Sequence, residues 1–567
     1  MESNAPVQPA IGLQTLATRF SWTLLILATL YACYFNHLGA IGFVGPDEPR
    51  YAWIAREMAE TGDWITPRLY GKPWFEKPPL YYWGAALSFK LFGVSEAAAR
   101  LPSAASALLA TLVVAWLAWQ LYGAETARWL LLLLPTTLAM IGFSHAAATD
   151  MPFSAMLTIA MVFAAIIMGI VAPSPVGPSS SLTSFRSSTF PASVLFGFFL
   201  GLAVLAKGPA GMILCGGAVF FWALFTQRWR EAFRLLRPAA VAAFCFTALP
   251  WYVLCAHSNP DFLHIFILEH NLKRYLTPEF QHIQPFWFYI PILLVALLPW
   301  TPLLLPVASE LRQSLQSRRL HSSAAPLFLA SWPIFPCLFF SFSQSKLPGY
   351  ILPAIPPLVL LCSDATTKLL AGNRRFARAV LGSASILTVA MIASGTAYCL
   401  RLRRFDQFWE LTHSLRFWIF GLLCITGLIG SVLILSRRSR MAVLYTVATI
   451  IVFLWSATLT ALDSVLSPRP TCQGLAKIRA PDEEVLLCSV PRSFVHGFNF
   501  YLGREVPEWS QGSRQGRALV VIGSPACWSE LRGANYHLRA EMDFAPWPVI
   551  EVERPSTGGL AAGREPQ

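Results

Sequence analysis

The chain has 567 residues, of which 55% are hydrophobic and only 13% are charged, and its formal net charge is +13. Soluble globular proteins carry roughly 25% charged residues, so this composition excludes a large soluble fold and favours a polytopic membrane protein. The positive charge does not call for a nucleic-acid ligand, because membrane proteins concentrate Lys and Arg in cytoplasmic loops and near anionic headgroups.

Apolar runs recur along the chain and predict about thirteen transmembrane helices, since a bilayer core is crossed by roughly 20 apolar residues. The runs lie at approximately 20–43, 101–122, 127–147, 152–172, 192–206, 209–226, 238–256, 286–307, 325–343, 351–367, 379–399, 416–436 and 441–462. We interpret the first run as a retained span, because no small-residue cleavage site follows it.

Loop charges predict a cytoplasmic N-terminus. With that orientation four basic clusters fall on the cytoplasmic side: Arg228, Arg230, Arg234 and Arg237; Arg312, Arg318 and Arg319; Lys368, Arg374, Arg375 and Arg378; and Arg437, Arg438 and Arg440. The Ser/Pro-rich stretch 173–191 lies on the same side and predicts a flexible linker. Three further arginines, at 401, 403 and 404, fall on the opposite side, which leaves the topology of 380–440 open.

An odd number of spans sends the polar tail outward, where it predicts a small extracytoplasmic α/β domain. The runs EEVLLCSV, RALVVIGS and PVIEVERP are short, rich in β-branched residues and separated by turn residues, so they predict strands; residues 493–502 predict a short helix. We therefore expect a membrane module at 1–464 and a second domain at 465–567 with a disordered Gly-rich end. The sequence leaves open whether two of Cys472, Cys488 and Cys527 form a disulfide.

The first outward loop, 44–100, begins with an unusual block, VGPDEPRYAWIAREMAETGDWITPRLYGKPWFEKPPLYYW at 44–83. Its periodicity predicts an interfacial amphipathic helix over 49–61, with Tyr51, Ile54, Ala55 and Met58 on one face. Asp47 fits a helix N-cap as well as a functional carboxylate. Likewise Glu76 and Lys77 fit either a surface ion pair in an aromatic belt or a functional pair.

Further polar residues occur in the other outward loops. They are the junction His145–Thr149–Asp150, Lys207, the segment 257–285 and SQSKLPGY at 343–350. Charges beside a membrane are costly and usually have a partner or a function. We therefore expect these residues to meet at one outward-facing cavity.

These motifs resemble those of the aminoarabinose lipid A transferases, membrane glycosyltransferases related to protein O-mannosyltransferases. The first loop carries DEPRY, GDW and FEKPPL, and further matches follow in order at Thr149–Asp150, Ala206–Pro209, Glu269–Asn271 and Ser345–Pro348 with Tyr350. The resemblance implies a GT-C fold, an all-α polytopic bundle whose outward cavity is covered by surface-lying helices. It also implies an enzyme of the bacterial inner membrane that moves a sugar, such as 4-amino-4-deoxy-L-arabinose, from a polyprenyl-phosphate donor to a lipid acceptor such as lipid A on the periplasmic side.

The resemblance also implies roles for individual residues. Because the leaving phosphate gains negative charge, cations are expected beside it: Lys77, Arg274 and Lys346, with Tyr350 as hydrogen-bond donor and Lys207 as a further member. Snorkelling to the headgroups is the alternative for Lys207 and Lys346. Asp47 and Asp150 are the candidate carboxylates at the acceptor or the anomeric carbon. Asp47 would be the general base for a hydroxyl acceptor, and we expect a single displacement with inversion.

A divalent metal is a further hypothesis, although we expect activity to require no cofactor. Glu76 and His270 have ligand types that suit zinc or manganese, but two protein ligands are fewer than the usual three or four. A Glu–His hydrogen bond is the alternative.

Other functions remain open at this stage. The same motifs would serve another sugar, such as galacturonic acid or mannose, and a protein or glycan acceptor. A flippase for a lipid-linked sugar is an alternative from a different class, but transporters place ionisable groups near mid-membrane on broken helices, often in two related halves. A non-catalytic lipid-binding protein is the third alternative.

Overall fold

The computed structural model describes residues 13–171, 182–276, 283–316, 324–372, 379–390, 429–430, 439–455, 463–478, 483–509, 516–533, 537–544 and 547–554. The helices before the tail are α1 Leu13–Tyr34, α2 Asp47–Thr61, α3 Leu80–Phe92, α4 Glu96–Tyr122, α5 Ala124–Leu133, α6 Leu138–Ser144, α7 Asp150–Ile167, α8 Leu182–Lys207, α9 Ala210–Thr226, α10 Trp229–Ala232, α11 Pro238–Ser258, α12 Arg274–Leu276, α13 Tyr289–Ala296, α14 Leu304–Gln316, α15 Ala324–Ser341 and α16 Ile355–Ala371. Helices Ala379–Ala390 and Ser439–Trp455 follow, and shorter helical turns cover Phe233–Leu236, His264–Lys273, Phe286–Phe288, Thr301–Leu303 and Pro348–Ala354.

Apolar helices of membrane-spanning length confirm a polytopic membrane protein. In the described part of the chain six helices are long and apolar enough to cross a bilayer, or eight if each of two bent pairs is one span. The bent pairs are Ala124–Leu133 with Leu138–Ser144, and Phe286–Ala296 with Thr301–Gln313. The count of about thirteen spans stays a prediction, because parts of the last three apolar runs lie outside the described residues, as do Arg401, Arg403 and Arg404.

The predicted helix over 49–61 is confirmed as α2, and its position at a membrane interface stays a prediction. It starts at Asp47, two residues earlier than expected, and ends at Gly62, whose φ of 75° is the left-handed conformation that closes many helices. All four residues predicted to share a face are buried. They pack against Tyr81, Tyr82, Ala85 and Ala86 of α3, so the first outward loop is a folded layer across one end of the bundle.

A buried ion pair fixes this layer to the bundle. The Arg100 guanidinium on α4 contacts the Glu48 carboxylate at 2.7 Å, and the two side chains are 5% and 10% exposed. The remaining Arg100 donors reach the carbonyls of Leu38, Ile41 and Gly42, while Glu48 also accepts from the Ala147 amide at 2.6 Å. One carboxylate thus joins the start of α2, the start of α4 and the segment before α7.

The tail contains a four-stranded sheet, which confirms a small α/β domain. Its strands are β3 Glu484–Cys488, β4 Gly516–Ile522, β5 His537–Phe544 and β6 Trp547–Arg554 in the order β3-β4-β6-β5; β3 and β4 are parallel and the other pairs antiparallel. (The two-residue strands β1 Arg68–Leu69 and β2 Lys72–Pro73 form a hairpin in the first loop.) Helices Arg469–Ile478 and Arg492–Leu502 cover one face and Pro525–Gly533 the other. Both faces are therefore apolar, as expected for a sheet between helices.

A disulfide joins Cys488 at the end of β3 to Cys527 in the helix Pro525–Gly533. Cys472 is a buried free thiol. The bond therefore selects one of the three pairings that the sequence left open. The domain boundary at 465 and the Gly-rich end remain predictions, since residues 555–567 lie outside the described residues.

Polar contacts attach this domain to the first outward loop. Arg469 donates to Asp463, to Glu96 of α4 and to the carbonyls of Gly39 and Ala40. The Tyr501 hydroxyl donates to Glu96 at 2.8 Å and accepts from the Phe43 amide. The α/β domain therefore lies at the same end of the bundle as α2 and α3.

The predicted linker at 173–191 is partly wrong. Helix α8 begins at Leu182, ten residues before the apolar run that predicted it, so the Ser/Phe-rich half of the stretch is helical. Serine and threonine are only weak helix formers. These residues are helical because they continue the helix of the apolar run, not because of their own helix propensity. Residues 172–181 lie outside the described residues.

Replacing Glu48 should destabilise the whole outward layer. Glu48→Gln leaves the Arg100 charge buried without its partner, which costs about 3–5 kcal/mol of unfolding free energy. The matched control is Glu60→Gln, which breaks the exposed Arg56–Glu60 pair and should cost about 0.5 kcal/mol or less. Unfolding of the purified protein in detergent measures both, and equal losses for the two variants would contradict the assignment.

Candidate active site

A cavity of about 360 Å³ opens at the layered end of the bundle, between α9, α15 and the helical turn His264–Lys273. Most of its wall is aromatic or aliphatic. The polar residues of the wall include Glu76, Lys77, Lys207, His270, Ser343, Ser345 and Tyr350. A largely apolar cavity whose wall also carries two lysines suits an amphiphilic ligand with an anionic head.

Lys207 and Asp150 form one charged pair of this site. Lys207 is the last residue of α8 and Asp150 the first of α7, and their Nζ and Oδ1 atoms are 2.5 Å apart. The ammonium also lies 4.8 Å from the centre of the Tyr350 ring. The Lys207 side chain is only 12% exposed, so the snorkelling alternative is wrong for this residue. Three predicted residues thus meet, although Asp150 reaches the cavity only through Lys207.

Gly349 makes room for this pair. A Cβ at position 349 would lie 2.5 Å from Asp150 Oδ1 and 3.0 Å from the Phe143 ring. Real Cβ atoms do not approach other atoms so closely, so any larger residue would displace the carboxylate. The requirement explains the glycine in SQSKLPGY.

Arg50 joins the other predicted acids. Its guanidinium contacts Asp47 at 2.5 Å and Glu76 at 3.0 Å, and Glu76 lies 3.4 Å from the Lys77 ammonium. Burial alone would lower the pKa of Arg50, but the Glu76 and Asp47 carboxylates outweigh it and raise that pKa. The guanidinium therefore stays charged and holds both carboxylates. Sequence reasoning gave Arg50 no role, although its spacing of three from Asp47 on a helix was a usable signal.

The structure excludes the N-cap interpretation of Asp47, and a functional role of this carboxylate stays a prediction. Helix α2 begins at Asp47 itself and its N-cap position is Pro46, so Asp47 is not the N-cap. The Asp47 side chain is 52% exposed while its Arg50 partner is 8% exposed. Asp47 is therefore an oriented and accessible carboxylate, but it does not line the cavity. It contacts Arg50, which in turn contacts Glu76 in the cavity wall. The surface-pair interpretation of Glu76 is wrong, because its side chain is only 10% exposed.

Lys346 is buried beside the cavity. It is 6% exposed, its ammonium donates to the Ser343 carbonyl at 2.6 Å, and burial lowers its pKa. This contact excludes snorkelling. Within the described residues no acidic side chain forms an ion pair with Lys346. The backbone of Arg274 begins α12, but its side chain lies outside the described residues, so its role stays a prediction.

Glu76 and His270 both line the cavity, as the metal hypothesis requires. Among the described residues, however, no group of three His, Cys, Asp or Glu side chains has the geometry to hold a metal ion. Glu76 is already engaged by Arg50 and Lys77. The donor set therefore supplies two ligands at most, and the metal stays a hypothesis.

The α/β domain contributes to the cover of the site. The Tyr70 hydroxyl accepts from the Asn499 amide at 2.9 Å and lies 2.8 Å from His496 Nδ1. Either Tyr70 or His496 can be the donor of this bond, depending on which ring nitrogen of His496 carries the proton. Burial and then the nearby cations Arg50 and Arg492 lower the pKa of His496 to about 4.

Comparison with known proteins agrees with this fold. A crystal structure of ArnT from Cupriavidus metallidurans bound to undecaprenyl phosphate superimposes with a TM-score of 0.74 at 23% identity, over 96% of this chain and 99% of that one. A family model described as dolichyl-phosphate-mannose-protein mannosyltransferase matches residues 20–266. The fold and the charged cavity at one end of the bundle thus define a polytopic membrane protein of the GT-C class.

Sequence relatives identify the family within this class. Proteins named undecaprenyl phosphate-alpha-4-amino-4-deoxy-L-arabinose arabinosyl transferase from Pseudomonas aeruginosa (strain UCBPP-PA14) and Enterobacter sp. (strain 638) are 32% and 33% identical to this chain. The alignments cover 69% and 58% of this chain, and 67% and 56% of those proteins. An enzyme of the same name from Pseudomonas fluorescens (strain Pf0-1) is 30% identical, over 74% of this chain and 72% of its own length. The chain belongs to the undecaprenyl phosphate-aminoarabinose arabinosyl transferase family, although it spans little more than half the length of the Enterobacter relative.

Acidification should weaken the contact between the two domains. Between about pH 6.5 and pH 4 the unfolded chain protonates His496 while the folded chain does not, so stability falls as the pH falls. His496→Gln keeps a hydrogen-bond partner for Tyr70 without titrating, and should lose less thermal stability than the native chain between pH 7.5 and pH 5. The exposed His257 provides the control variant His257→Gln, which should behave as the native chain. Identical losses for all three proteins would contradict this role of His496.

Proposed function

We propose that the chain transfers 4-amino-4-deoxy-L-arabinose from undecaprenyl phosphate to lipid A. The observation that carries the proposal is that Lys77, Lys207 and Tyr350 line one largely apolar cavity. A polyprenyl phosphate has the matching chemistry, an apolar chain that ends in a phosphate. The names of the sequence relatives indicate aminoarabinose as the sugar and undecaprenyl phosphate as its carrier. The motif resemblance indicates lipid A as the acceptor.

The charged groups fit a displacement at the anomeric carbon. The bond from that carbon to the phosphate oxygen breaks, and its electron pair leaves with undecaprenyl phosphate. Lys77 and Lys207 would stabilise the charge that develops there, with Lys346 and Arg274 as further donors. The acceptor oxygen forms the new bond from the opposite face, which inverts the configuration.

Asp47 would act at the acceptor side. A lipid A phosphate is already ionised and has no proton to lose, so Asp47 would then orient the reacting groups and stabilise positive charge on the sugar. For a hydroxyl acceptor Asp47 would take the proton as general base. Asp150 would act through Lys207, by holding the ammonium against Tyr350. If Glu76 and His270 hold a divalent ion, it would add positive charge near the phosphate.

The proposed location is the inner membrane, with the cavity and the α/β domain on the periplasmic side. Lys368, paired with Glu310 and Asp364, and Arg440, paired with Glu125, lie at the opposite end of the bundle. Basic residues gather on the cytoplasmic side, and the Cys488–Cys527 disulfide suits an oxidising compartment.

Transfer is tested directly with purified protein, the lipid-linked aminoarabinose donor and lipid A. The expected product is lipid A heavier by one aminoarabinose residue in a mass spectrum, with the inverted anomeric configuration by NMR. Movement of the donor across a vesicle membrane with no covalent product would instead favour a flippase. A product with another sugar, when donors are offered in competition, would correct the substrate.

Removing a cation at the cavity should slow transfer. Lys77→Met and Lys207→Met should each reduce kcat by about 10²–10³-fold, the usual loss for a group that stabilises developing charge. Lys72→Met, an exposed lysine of the same loop, is the control and should retain activity. The assay is initial-rate transfer at saturating donor. Full activity of both cavity variants would contradict the phosphate-binding role.

Gly349→Ala should impair the same step without removing a charge. The added Cβ displaces Asp150, and a misplacement of about 1 Å costs up to about 100-fold in rate. Gly142→Ala is the matched control, because a Cβ at Gly142 meets no atom within 4 Å. Comparable kcat values for the two alanine variants would show that the position of Asp150 is unimportant.

A further inference from the structure

A second cavity lies along a different face of α9 from the candidate active site and extends to the segment 229–236 beyond the far end of that helix. Its volume is about 450 Å³, and it opens between α8, α9, α11 and the short helical segment 229–236. Its lining is apolar throughout: Phe196, Leu200, Met212, Cys215, Gly216, Val219, Phe220, Ala223, Trp229, Ala232, Phe233, Leu235, Leu236, Ala240, Val241 and Phe244. Ala210 and Ile213 of α9 line the active-site cavity, whereas Met212, Gly216 and Val219 line the second one, so the two cavities lie on different faces of that helix.

The segment that closes this cavity also carries a cluster of cations. Four arginines lie at 228, 230, 234 and 237 among its apolar residues, against the single acid Glu231. Phe233 and Leu236 are 65% and 66% exposed, so the segment presents apolar side chains outward as well as toward the cavity. Such a pattern is typical of a helix that lies in the interface of an anionic membrane.

We infer that this cavity binds an anionic glycerophospholipid of the cytoplasmic leaflet. One acyl chain would enter the apolar cavity, and the phosphate would lie against Arg230 and Arg234. The inference does not depend on the proposed sugar transfer, but its assignment to the cytoplasmic leaflet rests on the proposed orientation of the chain. A polyprenyl-phosphate donor is a poorer occupant, because its phosphate belongs at Lys77 and Lys207, in the other cavity.

Charge also favours a lipid over a second copy of the chain. Two copies joined through this surface would bring both arginine clusters together, and like charges oppose each other across an interface. An anionic headgroup neutralises the cluster instead, and each basic residue near an anionic membrane strengthens binding by about fivefold.

Gly216 allows the cavity to be filled without disturbing the fold. It lines the cavity, and a Cβ at this position meets no atom within 4 Å. Gly216→Phe should therefore place its ring where the acyl chain would lie. Leu224→Phe is the matched control: it adds an aromatic ring on the same helix at an exposed position outside the cavity.

The test is native mass spectrometry of the full-length protein released from detergent after incubation with phosphatidylglycerol or phosphatidylcholine. We expect phosphatidylglycerol to be retained in preference, about tenfold less of it on Gly216→Phe, and no loss on Leu224→Phe. Arg230→Gln combined with Arg234→Gln should weaken retention by about twentyfold, whereas Arg312→Gln, an exposed arginine of α14, should have little effect.

Several outcomes would overturn the inference. They are equal retention of the two lipids, full retention by Gly216→Phe, or a change in the number of protein chains per particle in place of a change in bound lipid. Sugar transfer by Gly216→Phe should match the native chain, since Gly216 lies outside the active-site cavity. A loss of transfer together with a lowered thermal unfolding midpoint would mark a folding defect in Gly216→Phe. Lipid retention by the double arginine variant would then be the test of the inference.

Discussion

The carboxylate of Glu48 holds the outward end of this protein together. It pairs with Arg100 and accepts the amides of Val44 and Ala147. Such a buried pair adds little net stability compared with an apolar pair, but breaking one partner is costly. Its main effect is therefore geometric, because it fixes three segments from different parts of the chain relative to one another.

The two charged clusters of the candidate site depend on this arrangement. Glu48 fixes the first turn of α2, which carries Asp47 and Arg50, and it fixes the segment just before Asp150. Each acid then has its own cation: Arg50 for Asp47, and Lys207 for Asp150. The clusters are thus oriented by ion pairs within the protein before any substrate binds, which is the preorganisation that electrostatic stabilisation of a transition state needs.

The features that repeat locally were predictable. The period of α2, the apolar runs, the basic loops and three of the four tail strands follow from short-range patterns. Features that depend on distant partners were not: Glu48 meets Arg100 52 residues away in the sequence, and nothing in the chain marks that pairing. Strand β5, HLRAEMDF, was missed although its residues alternate between polar and apolar, the usual pattern of a strand; among the described strands it lies at the edge of the sheet, next to β6.

The candidate site likewise has features that the sequence predicted and features that it did not. The convergence of Lys77, Lys207, Asp150 and Tyr350 was expected from the loops that carry them and from the family resemblance. Arg50 as the link between Asp47 and Glu76, and Gly349 as the space for Asp150, emerged only from side-chain geometry. A glycine in a loop gives no sign of which atom would occupy the space of its missing Cβ.

The central claim is that the cavity between α9 and α15 holds the chain of a polyprenyl phosphate with its phosphate at the lysines. Photocross-linking with a polyprenyl phosphate that carries a diazirine on its first isoprene unit tests this most directly. The account predicts adducts on Ile213, Ile267 or Phe339, which line that cavity, and their loss when unlabelled undecaprenyl phosphate competes. Adducts confined to the second cavity, between α8, α9 and α11, or spread evenly over the lipid-facing surface, would contradict it.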